Sequence, residues 1–391
     1  MKDRIQAAVE GFLPELWAMS KEMYDHPELG MQEFNSSRLL RSWLAKQGFA
    51  VEETFHGMPT AFRAVYGSGK PVIAFLCEYD ALPEVGHGCG HDLIGVMSAG
   101  AAAALKEAVD AHGGTLVVYG TPDEEVEGGK VQLTNEGAFD EADVALMAHP
   151  SQFTCARMST LGIYPIQFEF FGKKCHAAQA DHTTVNALDA AVLAYLGISQ
   201  QKRYLEGNIH GILKEGGTLP NIIPDYACLR YYIRCAYEWQ TRAAVERLTR
   251  CAQGAADSVG ATLKTTNYLA PFKPLLLNEH LYLAMEENLR ALGVEFSQEF
   301  TVMGSTDMGD VSFKVPGIHL MLGIKGCEHM DAHTKEFADA TVSENGRNAT
   351  RSGVCALAGT GYDLLTNPEL LATVKADFQK ALQEQNKKGV K

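Results

Sequence analysis

Two kinds of hydrophobic pattern follow one another along the chain, and the change between them divides it. Ile5, Val9, Phe12, Leu13 and Leu16 recur at helical spacing, Trp17 and Tyr24 extend that face, and Ser20 interrupts it. Pro27 and Gly30 break the pattern. Residues 36–46 resume it through Leu39, Leu40, Trp43 and Leu44, and Gly48 stops it. Two helices are therefore expected over 5–47. Three short apolar runs follow, 61–66, 71–77 and 115–120, each bounded by turn residues and each read as a strand. Residues 72–76 and 116–119 are apolar on both faces, as in a sheet covered by helices. The Ala-rich stretch 94–112 reads as one helix ending at Gly113-Gly114. Strand, helix, strand predicts an α/β sheet with parallel crossovers, and 143–147 adds another strand.

After Leu161 the period changes. Residues 164–171 and 226–234 alternate as half-exposed strands, 209–213 and 262–268 complete a set of four, and helices are expected over 186–200 and 241–259, the second ending at Gly260. Strand, helix, strand, strand, helix, strand is the ferredoxin-like order. Residues 165–272 are thus expected to form an inserted α+β domain, with Pro271 and Pro274 marking its exit. The remainder, 1–164 with 273–391, forms one α/β domain with a mixed, mostly parallel sheet flanked by helices. It resumes with a helix over 281–292, a strand over 318–322 and one long helix over 340–365. The polar tail 379–391 is expected to fray.

Composition narrows the function. The chain has 391 residues, 46% of them hydrophobic and 21% charged, which suffices for a buried core. Its formal net charge of −14 repels phosphate backbones, so nucleic-acid binding is not expected. No apolar run reaches the roughly 18–20 residues that span a bilayer. Met1-Lys2-Asp3-Arg4 lacks the features of a signal peptide, so a cytoplasmic protein without membrane partners is expected. Nine cysteines without a CxxC pair argue against a disulfide scaffold or a zinc ribbon.

Cys89 keeps different company from the other eight. In Gly86-His87-Gly88-Cys89-Gly90-His91-Asp92, just after the strand that leads to Glu78-Tyr79-Asp80, a thiolate and an imidazole two residues apart can point at one divalent ion. A Gly-rich turn around a buried thiol fits the same residues. Pro122-Asp123-Glu124-Glu125 follows another buried strand, where one carboxylate can ligate a metal while its neighbour serves as general base. A solvated acidic loop reads equally well. His149 in Ala148-His149-Pro150 and His333 in Asp331-Ala332-His333-Thr334 are uninformative singly. Jointly, all four sites follow strand-like segments or lie in the resumed α/β part, where open α/β sheets bind ligands.

These motifs carry a family resemblance over nearly the whole chain. His26-Pro27-Glu28-Leu29-Gly30 with Glu33, Tyr79-Asp80-Ala81-Leu82-Pro83, Gly88-Cys89-Gly90-His91-Asp92, Thr121-Pro122-Asp123-Glu124-Glu125, Gly172 to His176, Asn221-Ile222-Ile223-Pro224-Asp225, Gly304-Ser305-Thr306-Asp307-Met308-Gly309 and His333-Thr334 resemble metallopeptidase family 20. The likeness is to its subfamily of amidohydrolases and aminoacylases with a Cys ligand, and the motif variants are most similar to p-aminobenzoyl-glutamate hydrolases and related dipeptidases. The resemblance implies a zinc-exopeptidase-like catalytic domain, a dimerising inserted domain, and two divalent ions per subunit: zinc or manganese, with cobalt able to serve. Cys89, His91, Glu125, His149 and His333 would be the ligands, with Cys89 bridging. Glu124 would be the general base acting on a hydroxide shared by the two ions, and Asp80 would orient a ligand imidazole. His176 would stabilise the oxyanion in the neighbouring subunit's site. Asn221, Arg234, Ser305 and Thr306 would contact substrate, Arg234 suiting a carboxylate through its planar fork. The implied activity is hydrolysis of the amide bond of an N-acyl amino acid, an aminobenzoyl-glutamate-like compound or a dipeptide with a free carboxylate, by a homodimer or higher homo-oligomer. Glu78 stands where relatives outside this branch carry a His ligand, and Asp123 stands where a small residue is usual. A metal-free Cys89/His91 thiol hydrolase, or a non-catalytic or hetero-oligomeric paralogue binding such ligands, are the competing readings.

Overall fold

The computed structural model describes residues 1–386. Its six-stranded sheet has the spatial order Ala50–Glu53, Phe62–Ser68, Gly114–Gly120, Val72–Cys77, Val144–Ser151, Gly317–Gly323. The last four strands run parallel, and the two at the other edge pair antiparallel. The strand Ala50–Glu53 is too short and polar to be seen in the hydrophobic pattern. Alternate side chains enter two separate cores. Ile73, Phe75, Leu116, Val118, Val144 and Leu146 face the helices Lys2–Asp25, His91–Ala104 and Glu344–Thr366. Ala74, Leu76, Val117, Tyr119, Ala145 and Met147 face Leu133, Phe139, Met308 and Val311. Burial on both faces is why these strands read as unbroken apolar runs.

The long helices are more divided than their periodicity suggests. The stretch 94–112 splits into His91–Ala104 and Lys106–His112 at Leu105. The helix expected over 340–365 starts four residues later than expected: a separate helix, Lys335–Thr341, ends, Ser343 turns extended, and Glu344–Thr366 begins with the Ser343 hydroxyl accepting from the Gly346 N–H at 3.1 Å. A serine in mid-pattern marks a helix start because it satisfies an amide left free in the first turn. At the C-terminus, 379–386 does not fray. It belongs to the helix Pro368–Asn386, in which Gln385 is buried and accepts from the Glu238 N–H at 2.8 Å. Residues 387–391 of the expected tail lie outside the described residues. Among the described residues no helix is long and apolar enough to cross a membrane.

The described residues divide into two compact units, Met1–Ser159 with Leu275–Gln383, and Thr160–Pro274 with 384–386. The second unit holds an antiparallel sheet in the order Thr262–Thr266, Gly162–Phe171, Tyr226–Cys235, Asn208–Glu215. Ile166, Phe168, Phe170, Leu229, Tyr231 and Ile233 point to one face, where Ala187–Gln201 and Glu238–Val259 cover them. Those helices meet the sheet through Ala190, Ala191, Ala194, Ala244 and Ala252, small side chains that allow close approach. The strand Asn208–Glu215 is an edge.

Ser343→Ala should cost about 1 kcal/mol of stability, the usual worth of an N-cap hydroxyl, read as a lower urea midpoint at unchanged slope. An unchanged midpoint would mean that the helix break does not depend on the cap.

Candidate active site

The carboxyl ends of the parallel strands deliver the chemistry. The connection after Val72–Cys77 leads to a neighbour on one side of that strand, and the connection after Gly114–Gly120 returns to the other. Such a switch opens a crevice beyond the strand ends. Into it project Glu78 and Asp80 after the first strand, Glu124 and Glu125 after the second, and His149 near the end of Val144–Ser151. His333 reaches the same place from the loop after Gly317–Gly323. Cys89 and His91 sit where the helix His91–Ala104 begins. Gly90, at φ 80°, makes that turn, and a Cβ there would stand 2.8 Å from Pro150 Cγ, so only glycine fits.

Asp80 organises the centre. One carboxylate oxygen accepts from His91 Nδ1 at 2.9 Å and the other from the Glu125 backbone N–H at 3.0 Å. The first bond fixes the tautomer that leaves His91 Nε2 bare, the arrangement by which a carboxylate orients a metal-ligating imidazole. His149 donates from Nδ1 to the Pro150 carbonyl at 2.7 Å, which frees its Nε2 in the same way. Cys89 Sγ then lies 3.5 Å from His149 Nε2 and 3.4 Å from His333 Nε2. Glu125 lies 3.8 Å from His91 Nε2 through one oxygen and 3.7 Å from His333 Nε2 through the other. Ligand atoms held about 2.0–2.3 Å from one tetrahedral ion stand roughly 3.6 Å apart, so these separations suit shared ions. Two triads bring their ligand atoms within 4.8 Å of one another, Cys89-His91-His149 and Cys89-Glu125-His333, with a third group in His91-Glu124-Glu125. Cys89 belongs to both triads. His91 Nε2 and Glu125 Oε1 are buried with no hydrogen-bond partner, the condition a cation between them would relieve. The residues present therefore fit a divalent-metal site.

Electrostatics follow from burial. Burial raises the Glu124 carboxyl well above the ordinary range, with Glu78, Asp307 and Glu125 adding to the rise. Burial and the carboxylate of Glu125 push the Cys89 thiol up. A free thiol nucleophile needs the opposite, an electropositive surrounding. Burial holds the His149 imidazole down at about 4, hence neutral and able to ligate. Burial would raise Glu78 as well, but Lys130 and the imidazoles of His91, His149 and His319 outweigh it and hold that carboxyl at about 2.

Several residues here escape sequence reasoning. Lys130 is fully buried and ion-paired to Glu78 and Asp307. Its one signal is the position of Gly128-Gly129-Lys130 directly after the acidic loop. His319 lies against His149, ring centroids 5.3 Å apart, from inside an apolar strand. Glu33 is buried and accepts from the Thr60 hydroxyl at 2.8 Å and from the Asp123 backbone N–H at 2.9 Å. It thus holds Asp123, which has φ 59°, and with it the course of the chain into Glu124. The Asp123 side chain packs where a Cβ on Gly30 would come within 1.8 Å, which explains the glycine of the first motif. Glu28 of that motif accepts from the backbone N–H groups of Asn35 and Ser36 at 2.9 and 2.8 Å.

The expected substrate contacts are distributed. Thr306 is buried and its hydroxyl accepts from the Met308 N–H at 3.2 Å, and Ser305 precedes it in the loop before Asp307. In the second unit His176 is exposed and pairs with Ile222, while the Asn221 carbonyl accepts from the Ala177 N–H at 2.9 Å. His176 and Asn221 are therefore neighbours. Arg234 is not beside them. It lies near the opposite end of the ten-residue strand Tyr226–Cys235, paired with Ile163, whereas Tyr226 at the Asn221 end pairs with Phe171. At about 3.3 Å per residue the two ends are roughly 25 Å apart.

Residues 74–352 match the family described as peptidase family M20/M25/M40. The Xaa-Arg dipeptidase of Homo sapiens is 36% identical over 410 residues, spanning 98% of this chain and 93% of that one. One of the subunits of the p-aminobenzoyl-glutamate hydrolase of Escherichia coli K12 is 34% identical over 283 residues, 66% of this chain and 59% of its own. Among solved structures, a putative aminohydrolase from methicillin-resistant Staphylococcus aureus superposes with a TM-score of 0.78 at 19% identity, covering 94% of this chain and 100% of that one. A Bacillus subtilis protein described as a dinuclear metal binding peptidase gives 0.68 at 21%, covering 90% and 99%. At these identities the likeness to the two solved structures is one of fold.

Burial raises the Glu33 carboxyl to about 7, against the bonds from Thr60 and Asp123. The native state therefore keeps a proton that the unfolded chain loses near 4.5, and stability should fall by roughly 3 kcal/mol as pH rises from about 4.5 to 7. Chemical denaturation across that range should show a fall in wild type that is smaller by about 3 kcal/mol in Glu33→Gln, whatever the variant's absolute stability, the raised carboxyls of Asp92, Asp123 and Asp307 accounting for the remainder. Identical slopes would remove Glu33 as the cause.

Proposed function

The chain belongs to peptidase family M20/M25/M40, a hydrolase of peptide or linear amide bonds, and on that premise we propose a two-metal site in which Glu124 handles the proton. The observation that carries this reading is that Cys89 is common to two ligand triads, with Glu124 4.0 Å from His91 beside them. Cys89, His91 and His149 would hold one ion and Cys89, Glu125 and His333 the other. Zinc, manganese and cobalt all suit a Cys, His and Glu set. When bound, the ion pair would polarise the scissile carbonyl and lower the pKa of the attacking water. Glu124 takes the proton from that water and returns it to the departing amine. Asp80 keeps the His91 ring aimed and the Glu125 backbone in place. The substrate is an N-acyl amino acid or dipeptide with a free carboxylate. The names of the relatives support a screen that includes dipeptides ending in arginine and p-aminobenzoyl-glutamate. The nine unpaired cysteines support a reducing, cytoplasmic setting.

The second unit is proposed to form a homodimer. Ile212 and Leu213 on the edge strand Asn208–Glu215 are 61% and 44% exposed, and Val192, Leu193 and Leu196 are exposed on the neighbouring helix Ala187–Gln201. An open edge beside an apolar helix face favours pairing with a second copy. The separation of Arg234 from His176 and Asn221 also supports this arrangement. One copy of the unit cannot bring both ends to one substrate, but two copies can each supply one end to a site. His176 is proposed to hold the developing oxyanion in the partner's site, and Arg234 to bind the substrate carboxylate.

Glu124→Gln should retain its metal and lose about 10²–10⁴-fold in turnover, the usual scale for a general base, measured as kcat beside metal content. Wild-type turnover in that variant would place the base elsewhere. Cys89→Ser should lose metal and activity together. Resistance to chelators with sensitivity to alkylation would instead favour the thiol hydrolase.

Mixing inactive His176→Ala with inactive Glu124→Gln should restore activity, because each mixed dimer then contains one site with Glu124 intact and the partner's His176 intact. No recovery, with mixed dimers verified by mass, would sink the trans assignment. A fully active monomer would sink the dimer requirement.

A further inference from the structure

Lys130 is fully buried, and removing an ammonium from water is costly unless its partners are well placed. Its Nζ lies 2.6 Å from Glu78 Oε1 and 2.7 Å from Asp307 Oδ1, and its backbone N–H donates to the other Asp307 oxygen at 2.9 Å. Three segments meet at this cluster. Glu78 follows the strand Val72–Cys77, Lys130 lies in the first turn of the helix Gly129–Asn135 just after the Glu124-Glu125 loop, and Asp307 closes the loop of Ser305 and Thr306. The free oxygen of Glu78, Oε2, lies 3.4 Å from His91 Nε2. That nitrogen is the one Asp80 leaves bare by taking Nδ1. Glu78 therefore stands within reach of any ion that His91 holds, as close to the imidazole as the ligand atoms of Cys89 and His149 are to each other. A carboxylate in that position is a strong candidate ligand, and its entry would replace a set of one thiolate and two imidazoles with a harder, more crowded one.

We propose that Lys130 is a positioning residue that withholds Glu78 from the ion held by His91. With one Glu78 oxygen paired to the ammonium and the ammonium anchored by Asp307, the carboxylate is kept beside the His91 ring and outside the group formed by Cys89, His91 and His149. Cys89, His91 and His149 remain its protein ligands. The inference rests on the two-metal reading above and adds to it the device that sets the ligand count.

Cobalt(II) is the probe, since its visible bands weaken when a further oxygen ligand joins the coordination sphere. Wild-type, Glu78→Gln, Lys130→Met/Asp307→Asn, and the triple variant that adds Glu78→Gln to that pair are loaded with cobalt, and band intensity per bound ion is measured. Removing Asp307's charge together with Lys130 avoids stranding a second buried carboxylate. Glu78→Gln alone, which keeps the Lys130–Asp307 pair, should match wild type. Lys130→Met/Asp307→Asn should show weakened bands, and the triple variant should recover them. Altered bands in Glu78→Gln, unaltered bands in the Lys130→Met/Asp307→Asn variant, or no recovery in the triple variant would overturn the proposal. Should the Lys130 variants not fold, the Glu78→Gln comparison still decides whether Glu78 is a ligand. No cobalt uptake by wild type would overturn the two-metal reading as well, and is distinct from uptake with the wrong pattern.

Discussion

Buried negative charge is the constraint on which the first unit depends. Glu33, Glu78, Asp80, Asp92 and Asp307 are each at most 1% exposed. A carboxylate removed from water survives only with hydrogen bonds or a cation, or by taking up a proton. The five meet this demand in several ways. Asp80 is bonded to an imidazole and a backbone amide. Glu78 and Asp307 share one ammonium. Asp92 accepts from Ser20 and Thr341. Glu33 accepts from Thr60 and the Asp123 amide, and burial shifts it toward the protonated form. The arrangement of loops around the crevice is largely the pattern of these satisfactions.

The same bonds make the site's geometry reproducible. Glu33 and Asp80 each tie down the backbone of the acidic loop, at Asp123 and at Glu125, on either side of Glu124. A carboxylate so bracketed cannot drift without breaking one of these two bonds. Gly30 and Gly90 serve the same end by absence of a side chain. One makes room for Asp123, the other for Pro150, next to His149. Residues of the sequence motifs thus divide into those that present ligand atoms and those, such as Glu28 and Gly30, that let the loops close.

The second unit obeys a different logic. Its core is ordinary, apolar strand faces under alanine-rich helices, and its open edge carries apolar side chains to solvent. Among its described residues no carboxylate is buried as the first unit's are. Its candidate functional residues are set apart by strand length: His176 and Asn221 at one end, Arg234 near the other.

Much of this was legible in the residues alone. Apolar runs such as Val72–Cys77 must be strands buried on both faces, because no other short element hides every side chain. The alternation in Tyr226–Cys235 must be a half-covered sheet, because period two puts one face inward. The candidate ligands Cys89, His91, Glu125, His149 and His333 were legible through the motifs that carry the family resemblance, since His149 and His333 say little singly. Helix breaks were not, because periodicity runs through Leu105 and Thr341 while the interruption is made locally, after Thr341 by the Ser343 hydroxyl that caps the next helix. Nor were the roles of Glu33, Lys130 and His319. A buried charge looks like a surface charge in sequence, and its meaning comes from partners far along the chain: Lys130 from Asp307, 177 residues away, and Glu33 from Asp123, 90 residues away. Sequence determines which side chains can do chemistry. Only tertiary structure decides which of them lose their water together, and it is that shared desolvation which turns separate acids, imidazoles and a thiol into one site.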